Sequence, residues 1–541
     1  MNTERYRFRV IVPRFPNFNI YSAMASKTTS AGPVYVGTAA SKMPLWDVEI
    51  IDENNCHGPL YPRNKNNQLD HEALQKQRPA NVIGFYGSIS STVPRIYELA
   101  QIYHAQGVKT IAGGKHIENM PEEALANGID VVVFGEGEIT ITEVLFAWQN
   151  KLPLESIKGI SFNDEHGQIN TPPRELIRDF NQAAFPDFNL LRYAKMDYYP
   201  INRTRGCNSH CEFCAVKDKA RSCSAKRMFD NVVYLIETRG ARHFFETSDH
   251  FAADRTSAIE FCQLIADYQK KHNIKLRFTV QTRVSDARYP ELLQAMKNAN
   301  IDMVCIGYES PLKDDLKTMK KGYSSAKLIE WSKIFHRYHF FIHGMFIFGY
   351  PAQKSEKARI DLKQHIKEYN RFIKNAKIDT LQLLLPIPLP GTALRERLEK
   401  EGRLFPLSEI GWEYYDGQFP LFQPDAGASA EDLQKSVKLI MKKFYSITNL
   451  GKIIFHILFT FPGLVFSTTL TLATGRAKLL IAAFNLWKRK FFRNNILKLG
   501  GYLIIKNWVK NFRKGTFLKK LNRVEQNARL YINVSEQNKT Y

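Results

Sequence analysis

Short apolar runs that end in glycine or an acid recur along the first 150 residues, and this recurrence leaves few architectures open. FRVIVP, WDVEIID, NVIGFYGS, KTIAGG and DVVVFGEGE each have the length and composition of a strand. Between the third and fourth, PRIYELAQIYHAQG sets Ile96, Leu99, Ala100 and Tyr103 at helical spacing. Strands alternating with helices predict an α/β fold with a parallel, doubly wound, Rossmann-like sheet. Ligands of such sheets bind at the carboxyl ends of strands, where GFYGSISS, AGGKH and FGEGE all fall. One such glycine is only a turn former; three glycine-bearing strand ends in one domain point to a ligand.

The stretch GQINTPPRELIRDFNQAAFPDFNLL is rich in Pro, Asn and Asp and is expected to be a linker. A second alternating region follows, with strand candidates HFFETS, LRFTVQTR, MVCIGYES, FIHGMFIFGYP and LQLLLPIPLP. PELLQAMKNAN and AKLIEWSKIFHRYH are helical between them, so a full or partial (β/α) barrel is predicted, with chemistry at its C-terminal strand ends. From about residue 430 the pattern is helical only. The expected division is therefore 1–150, a linker over 151–195, 196–425, and a helical basic region over 426–541.

Charge is concentrated in that last region. From Lys435 onward there are 21 Lys/Arg against two acids, Glu525 and Glu536, out of a net +23 for the whole chain. A basic appendage seeks an anionic partner, nucleic acid or membrane. Residues 453–473 hold no charge over 21 positions, but Pro462-Gly463 interrupts them and basic residues flank them. Residues 479–514 mix Trp, Phe, Leu and Ile with Lys and Arg, the composition of a helix lying in an interface. The alternative is a helical cap whose apolar face packs on the barrel. The N-terminus has no apolar signal region, and seven cysteines, an odd number, suit a reducing compartment. The expected place is the cytoplasm, peripheral on the inner face of the cell membrane.

Three of those cysteines cluster: Cys207, Cys211 and Cys214 lie in RTRGCNSHCEFC at the spacing C-x3-C-x2-C. Structural zinc takes four closed ligands, and His210, next to Cys211, is cramped for the fourth. A [4Fe–4S] cluster normally takes four cysteines; with three, one iron keeps an open position for something other than the protein.

C-x3-C-x2-C with an aromatic before the last cysteine, here Phe213, resembles the signature of the radical S-adenosylmethionine (SAM) enzymes. The resemblance implies a [4Fe–4S] cluster on the three cysteines, SAM chelating the open iron, a 5′-deoxyadenosyl radical, and a low-potential donor of the flavodoxin or ferredoxin type. It implies SAM contacts at Phe213, at Asp249 and Glu246 in FFETSDHF, at Arg283 in QTRVSD, at Glu309 in CIGYESP, and at Pro388 in PIPLPGT. The first domain resembles the cobalamin-binding domain fused to many of these enzymes, through Ser88 and Ser90, Gly113-Gly114, and Gly135, Glu136, Gly137 and Glu138. The D-x-H-x-x-G histidine motif is absent: DENNCHG offers Asp52 and His57 at the wrong spacing, so His57 is expected in a surface loop.

Members of this subgroup methylate unactivated carbon, and an sp3 C–H bond needs no general base, so no catalytic side chain is nominated. The basic, aromatic tail favours an apolar small-molecule, lipid or isoprenoid substrate met at an anionic membrane. Oxygen-independent ring closure on a tetrapyrrole is the alternative within the subgroup. A tRNA methylthiotransferase carries three more cysteines in its first domain, where this chain has Cys56 alone, so nucleic acid is disfavoured. Cys262 and Cys305 are expected to be buried apolar residues, and Cys223 structural.

Overall fold

The first apolar run folds as strand β1 (Tyr6–Val12), and its neighbours set the topology of the N-terminal half. β1 pairs in parallel with β2 (Trp46–Asp52), Tyr6 opposite Trp46, and on its other side with β3 (Val82–Tyr86), Phe8 opposite Val82. The chain thus runs to one side of β1 and returns on the other, which opens a crevice at the carboxyl ends beside β1. β4 (Lys109–Gly113) and β5 (Val131–Val133) extend the parallel sheet, so all five expected strands form. Phe8, Val10, Ile50, Ile83, Ile111 and Val131 fill its core. The computed structural model describes residues 5–19, 21–353, 360–446, 501, 503 and 516–526.

Residues expected to be linker build the two edges of this sheet. β6 (Ile160–Asp164) and β7 (Gly167–Asn170) form an antiparallel hairpin on β5, and β8 (Leu191–Arg192) pairs with β2. The strand order is β7-β6-β5-β4-β3-β1-β2-β8. GQIN carries no apolar run, because an edge strand buries little, and its sequence therefore hides it.

The second sheet has six parallel strands laid down in chain order: β9 (Tyr199–Ile201), β12 (His243–Glu246), β13 (Arg277–Gln281), β14 (Ile301–Glu309), β15 (Phe341–Ile347) and β16 (Thr380–Leu384). Between β9 and β12 comes a small ribbon, β10 (Thr204–Arg205) against β11 (Arg221–Ser222). Because β9 and β16 are both edges, the barrel is partial. Ser224, Asp254, Ser324 and Asp361 each cap a following helix by accepting a backbone N–H three residues on.

Beyond the barrel, the helix Ala430–Phe444 buries Leu433, Val437, Ile440 and Met441. Just after it, the Tyr445 hydroxyl accepts from Leu381 N–H at 2.7 Å and donates to Leu381 C=O at 3.0 Å, blunting the edge of β16. Residues 516–526 are helical and bury Phe517, Leu521 and Val524, with the Phe517 ring against Tyr414 and Phe419. Lys520 and Arg523 face Glu413 and Glu409. This part of the basic region is a packed cap. Among the described residues no helix is long and apolar enough to cross a membrane. The stretches 453–473 and 479–514 lie outside the described residues except at 501 and 503.

Candidate active site

The cysteine motif is the loop of the β10–β11 ribbon, and its base is tightly laced. Thr204 and Ser222 hydroxyls bond at 2.7 Å, and Cys207 N–H donates to Asp218 C=O at 2.8 Å. Gly206 has φ +84°, and a Cβ there would stand 2.4 Å from Lys219 O, so only glycine closes the hairpin. Between Cys211 and Phe213, Glu212 ties the loop to the barrel. Its carboxylate accepts the Tyr350 hydroxyl at 2.7 Å and takes Arg397 side-on at 2.8 and 3.1 Å, while Arg397 also donates to Pro351 and Ala352 carbonyls.

Burial pushes the Cys211 and Cys214 thiols up, so they keep their protons until a metal takes the sulfur. Cations stand ready for the resulting thiolates: Arg283 Nη2 is 3.2 Å from Cys207 Sγ and 2.7 Å from Ser209 Oγ. Lys321, paired with Glu309 at 3.1 Å, carries a charge that Cys211 feels. His210 is exposed. Three soft sulfur donors on one loop with cationic neighbours have the donor chemistry of an iron–sulfur cluster, although among the described residues no three Cys, His, Asp or Glu side chains are drawn together as a closed metal site.

Glu246, Asp249, Arg283 and Glu309 come to the same strand ends as the cysteines, but not all as free groups. Asp249 accepts Gly206 N–H at 2.9 Å and so holds the hairpin. Glu246 is fully buried, which raises its pKa; Oε1 accepts from Arg203 N–H at 3.0 Å and from the Ser248 hydroxyl. Its Oε2 has no partner among the described residues, a cost that a ligand donor would remove. Glu309 takes a left-handed backbone, φ +62°. Phe213 packs edge-on against Tyr350, ring centres 6.2 Å apart, beside an apolar group with Leu394 and Leu398. Pro388 C=O accepts from Arg395 in the loop after β16.

A cavity of about 770 Å³ lies between the carboxyl ends of the two sheets. Its depth is apolar, with Phe8, Val10, Val36, Ile111 and Ile141. The first sheet and its loops supply Ser88, Gly113, Gly114, Gly135, Glu136, Gly137 and Glu138 to the wall; the second and its loops supply Pro200, Asn202, Phe245, Thr247 and Gln281, and the β10–β11 ribbon supplies Arg205. Gly114, at φ +117°, lies so close that a Cβ would meet Ser88 Oγ at 2.5 Å. A large cofactor with an apolar end fits such a slot. Among the described residues no His, Cys or Met lines it, and His57 sits outside, exposed, with Nε2 3.1 Å from Ser26 C=O.

Three of the residues expected at this wall have protein partners. Ser90 does not reach the cavity: it is buried, its hydroxyl 2.9 Å from His116 Nδ1. Glu136 and Glu138 do line the cavity, but as ion pairs. Arg205 holds Glu136 at 3.0 Å and Glu138 at 2.5 Å, and Arg221 holds Glu136 at 3.1 Å. Sequence reasoning missed Arg205, Arg221, Glu212 and Arg397, because each acts through a partner distant in the chain, and Lys321, whose partner Glu309 is 12 residues away. For Arg205 the separations are 69 and 67 residues. Cys223, Cys262 and Cys305 are buried, as expected.

Comparison with known proteins agrees with this geometry. The Radical SAM superfamily model matches residues 201–361, and the B12 binding domain model matches residues 25–145. An uncharacterised methyltransferase of Pyrococcus horikoshii is 26% identical over 372 residues, 66% of this chain and 76% of that protein. The anaerobic magnesium-protoporphyrin IX monomethyl ester cyclase of a Synechocystis species is 25% identical over 52% of this chain and 54% of its own length. The hopanoid C-2 methylase of Rhodopseudomonas palustris is 24% identical over 44% of this chain and 45% of its own, so the chain spans about half the length of these last two relatives. The solved structure of OxsB, a cobalamin-dependent S-adenosylmethionine radical enzyme, superposes with TM-score 0.60 over 98% of this chain and 82% of that one, at 15% identity, which is a likeness of fold.

Proposed function

We propose that this chain, a radical SAM enzyme with a B12-binding domain, transfers a methyl group to an unactivated carbon of an apolar substrate. The observation that carries the reading is the shared wall. The cavity at the B12-domain strand ends is closed on its far side by the barrel strand ends and by the base of the cysteine hairpin. A methyl donor and a radical generator so placed serve one substrate.

When bound, the cluster and SAM supply a radical that removes a hydrogen atom, and cobalamin supplies the methyl group. The chain's own residues hold and shield. Cys207, Cys211 and Cys214 ligate the cluster, and Arg283 offsets the charge of the Cys207 thiolate. Glu246 Oε2 offers a buried acceptor to an ammonium or hydroxyl of SAM. Ser88, Gly113 and Gly114 let the cobalamin tail approach the backbone. A flavodoxin- or ferredoxin-type donor is the expected source of electrons.

Two things support an apolar substrate met at the inner face of the cell membrane: residues 447–515 hold 12 Lys/Arg and no Asp/Glu, and one relative is a hopanoid methylase. Ring closure on a tetrapyrrole is the second reading, supported by the cyclase relative.

The test begins with anaerobic reconstitution, which is expected to give about four irons and one cobalamin per chain. Cys211→Ala should lose the iron, while Cys262→Ala keeps it. Incubation with lipid extract and methyl-deuterated SAM then separates the readings. A product that gains the labelled methyl supports methylation, and a product that loses hydrogen without label supports ring closure. A preparation that carries zinc in place of iron would sink both.

A further inference from the structure

The hairpin that carries the cysteines is also a wall of the cofactor cavity. Arg205 stands two residues before Cys207, and Arg221 is its partner across the ribbon. Both reach into the first domain: Arg205 to Glu136 and Glu138, Arg221 to Glu136 at 3.1 Å and to Ile177 C=O at 2.5 Å. Phe180 lies under both guanidinium groups, 4.7 and 5.1 Å from its ring centre, and Tyr35 faces Arg205 at 5.0 Å. Side-chain exposure is 22% for Arg205, 13% for Glu136 and 15% for Glu138, so these pairs are shielded from solvent far more than surface pairs are. Burial works against the Arg205 charge, yet Glu138 and Glu136 together hold it above its ordinary range.

The ribbon alone is weak, with two residue pairs, and it must close over Gly206 in a left-handed backbone. Ligation of three thiolates would tie the loop together from within, adding to the hydrogen bonds at its base from Thr204, Cys207 and Gly206, since metal binding couples to the folding of the segment that ligates it. Anything that fixes the hairpin fixes Arg205 and Arg221, and through them the Glu136–Glu138 wall.

We infer that the Arg205–Glu136/Glu138 clasp couples the two cofactor sites: a cluster in the hairpin raises the affinity of the cavity for cobalamin, and bound cobalamin steadies the hairpin. Reciprocity follows because coupling is one free energy shared by both sites. Arg205 is then a positioning residue, acting through the cavity wall. The inference rests on cobalamin occupying this cavity.

The experiment starts from full-length protein reconstituted with iron and sulfide, to which cobalamin is then added. Cobalamin dissociation constants are measured by visible spectrum on full-length protein before and after a chelator has stripped the iron, with circular dichroism checked in each state. Stripping should weaken cobalamin binding on the order of tenfold in the wild type. In Arg205→Met the two constants should agree to within about twofold. The double variant Glu136→Ala/Glu138→Ala leaves the hairpin itself untouched, removes every carboxylate that Arg205 holds, and should show the same loss of coupling, which guards against an Arg205 variant that folds poorly. Equal constants in the wild type, or variants that keep the wild-type ratio, overturn the coupling. Failure of the iron-loaded protein to take up cobalamin overturns the reading of the cavity as well, and is distinct from either.

Discussion

Glu212 lies between two cluster cysteines and takes no part in ligation, yet it carries the strongest polar anchor of the loop. Its carboxylate is 7% exposed and Arg397 is 15% exposed, so removing one partner strands a shielded charge. Glu212→Ala should therefore cost about 3 kcal/mol, at the low end for a buried pair because Arg397 keeps the Pro351 and Ala352 carbonyls. Glu212→Gln still offers an oxygen to Tyr350 and should cost less. Urea unfolding checks both, and an Ala variant as stable as the wild type would mean that the loop is held elsewhere. A second single-residue effect lies at Asp416, whose carboxyl burial pushes from 3.8 to about 8, partly offset by the Gln418 backbone N–H and amide. The folded state keeps this proton to a higher pH than the unfolded chain does. Asp416 thus contributes stability that is full below about pH 4 and is lost as pH rises through about 8. Asp416→Asn removes that slope, so the variant's Tm relative to wild type should climb between about pH 5 and pH 8. A constant difference would show that Asp416 titrates alike in the folded and unfolded chain.

At the scale of elements, the hairpin is the critical part, and Gly206 is its hinge. Gly206→Ala places a Cβ 2.4 Å from Lys219 O at φ +84°, so the ribbon cannot close. Iron content should fall well below that of the wild type, while the far-ultraviolet dichroism, which reports the two large sheets, stays the same. What the sequence revealed divides along the same line. The cysteine motif, β1 to β5 and β12 to β16 were legible because their signals are local: a fixed spacing, and short apolar runs. β6 to β9 were not: the four residues of GQIN at an edge bury too little to leave a pattern, and Leu191–Arg192 and Tyr199–Ile201 are two and three residues long. Nor were the partners of Glu136, Glu138 and Glu212. A carboxylate at a strand end looks the same in sequence whether it meets a ligand or an arginine from another domain. Ser90 shows the same limit: it shares the S-I-S stretch with Ser88, but in the fold it turns inward to His116.

For the whole molecule, two sheets meet at their carboxyl ends, and the described parts of the basic region belong to this body. The helix Ala430–Phe444 and residues 516–526 bury apolar side chains in the core, so cutting the chain before either would damage the fold itself. The charge left to explain is that of residues 447–515, 12 Lys/Arg without an acid. Each basic residue near an anionic surface contributes about 1 kcal/mol, and salt screens the attraction within about 10 Å at 0.1 M. Full-length protein should therefore float with anionic vesicles at low salt, leave them as salt rises, and ignore zwitterionic vesicles. Replacing Lys488, Arg489, Lys490 and Arg493 by Gln touches no described contact and should weaken that binding at least tenfold. Equal binding to both vesicle types would point to apolar insertion without a charge requirement. Absence of binding to either would remove the membrane from the proposed function and leave a methylase whose substrate arrives through water.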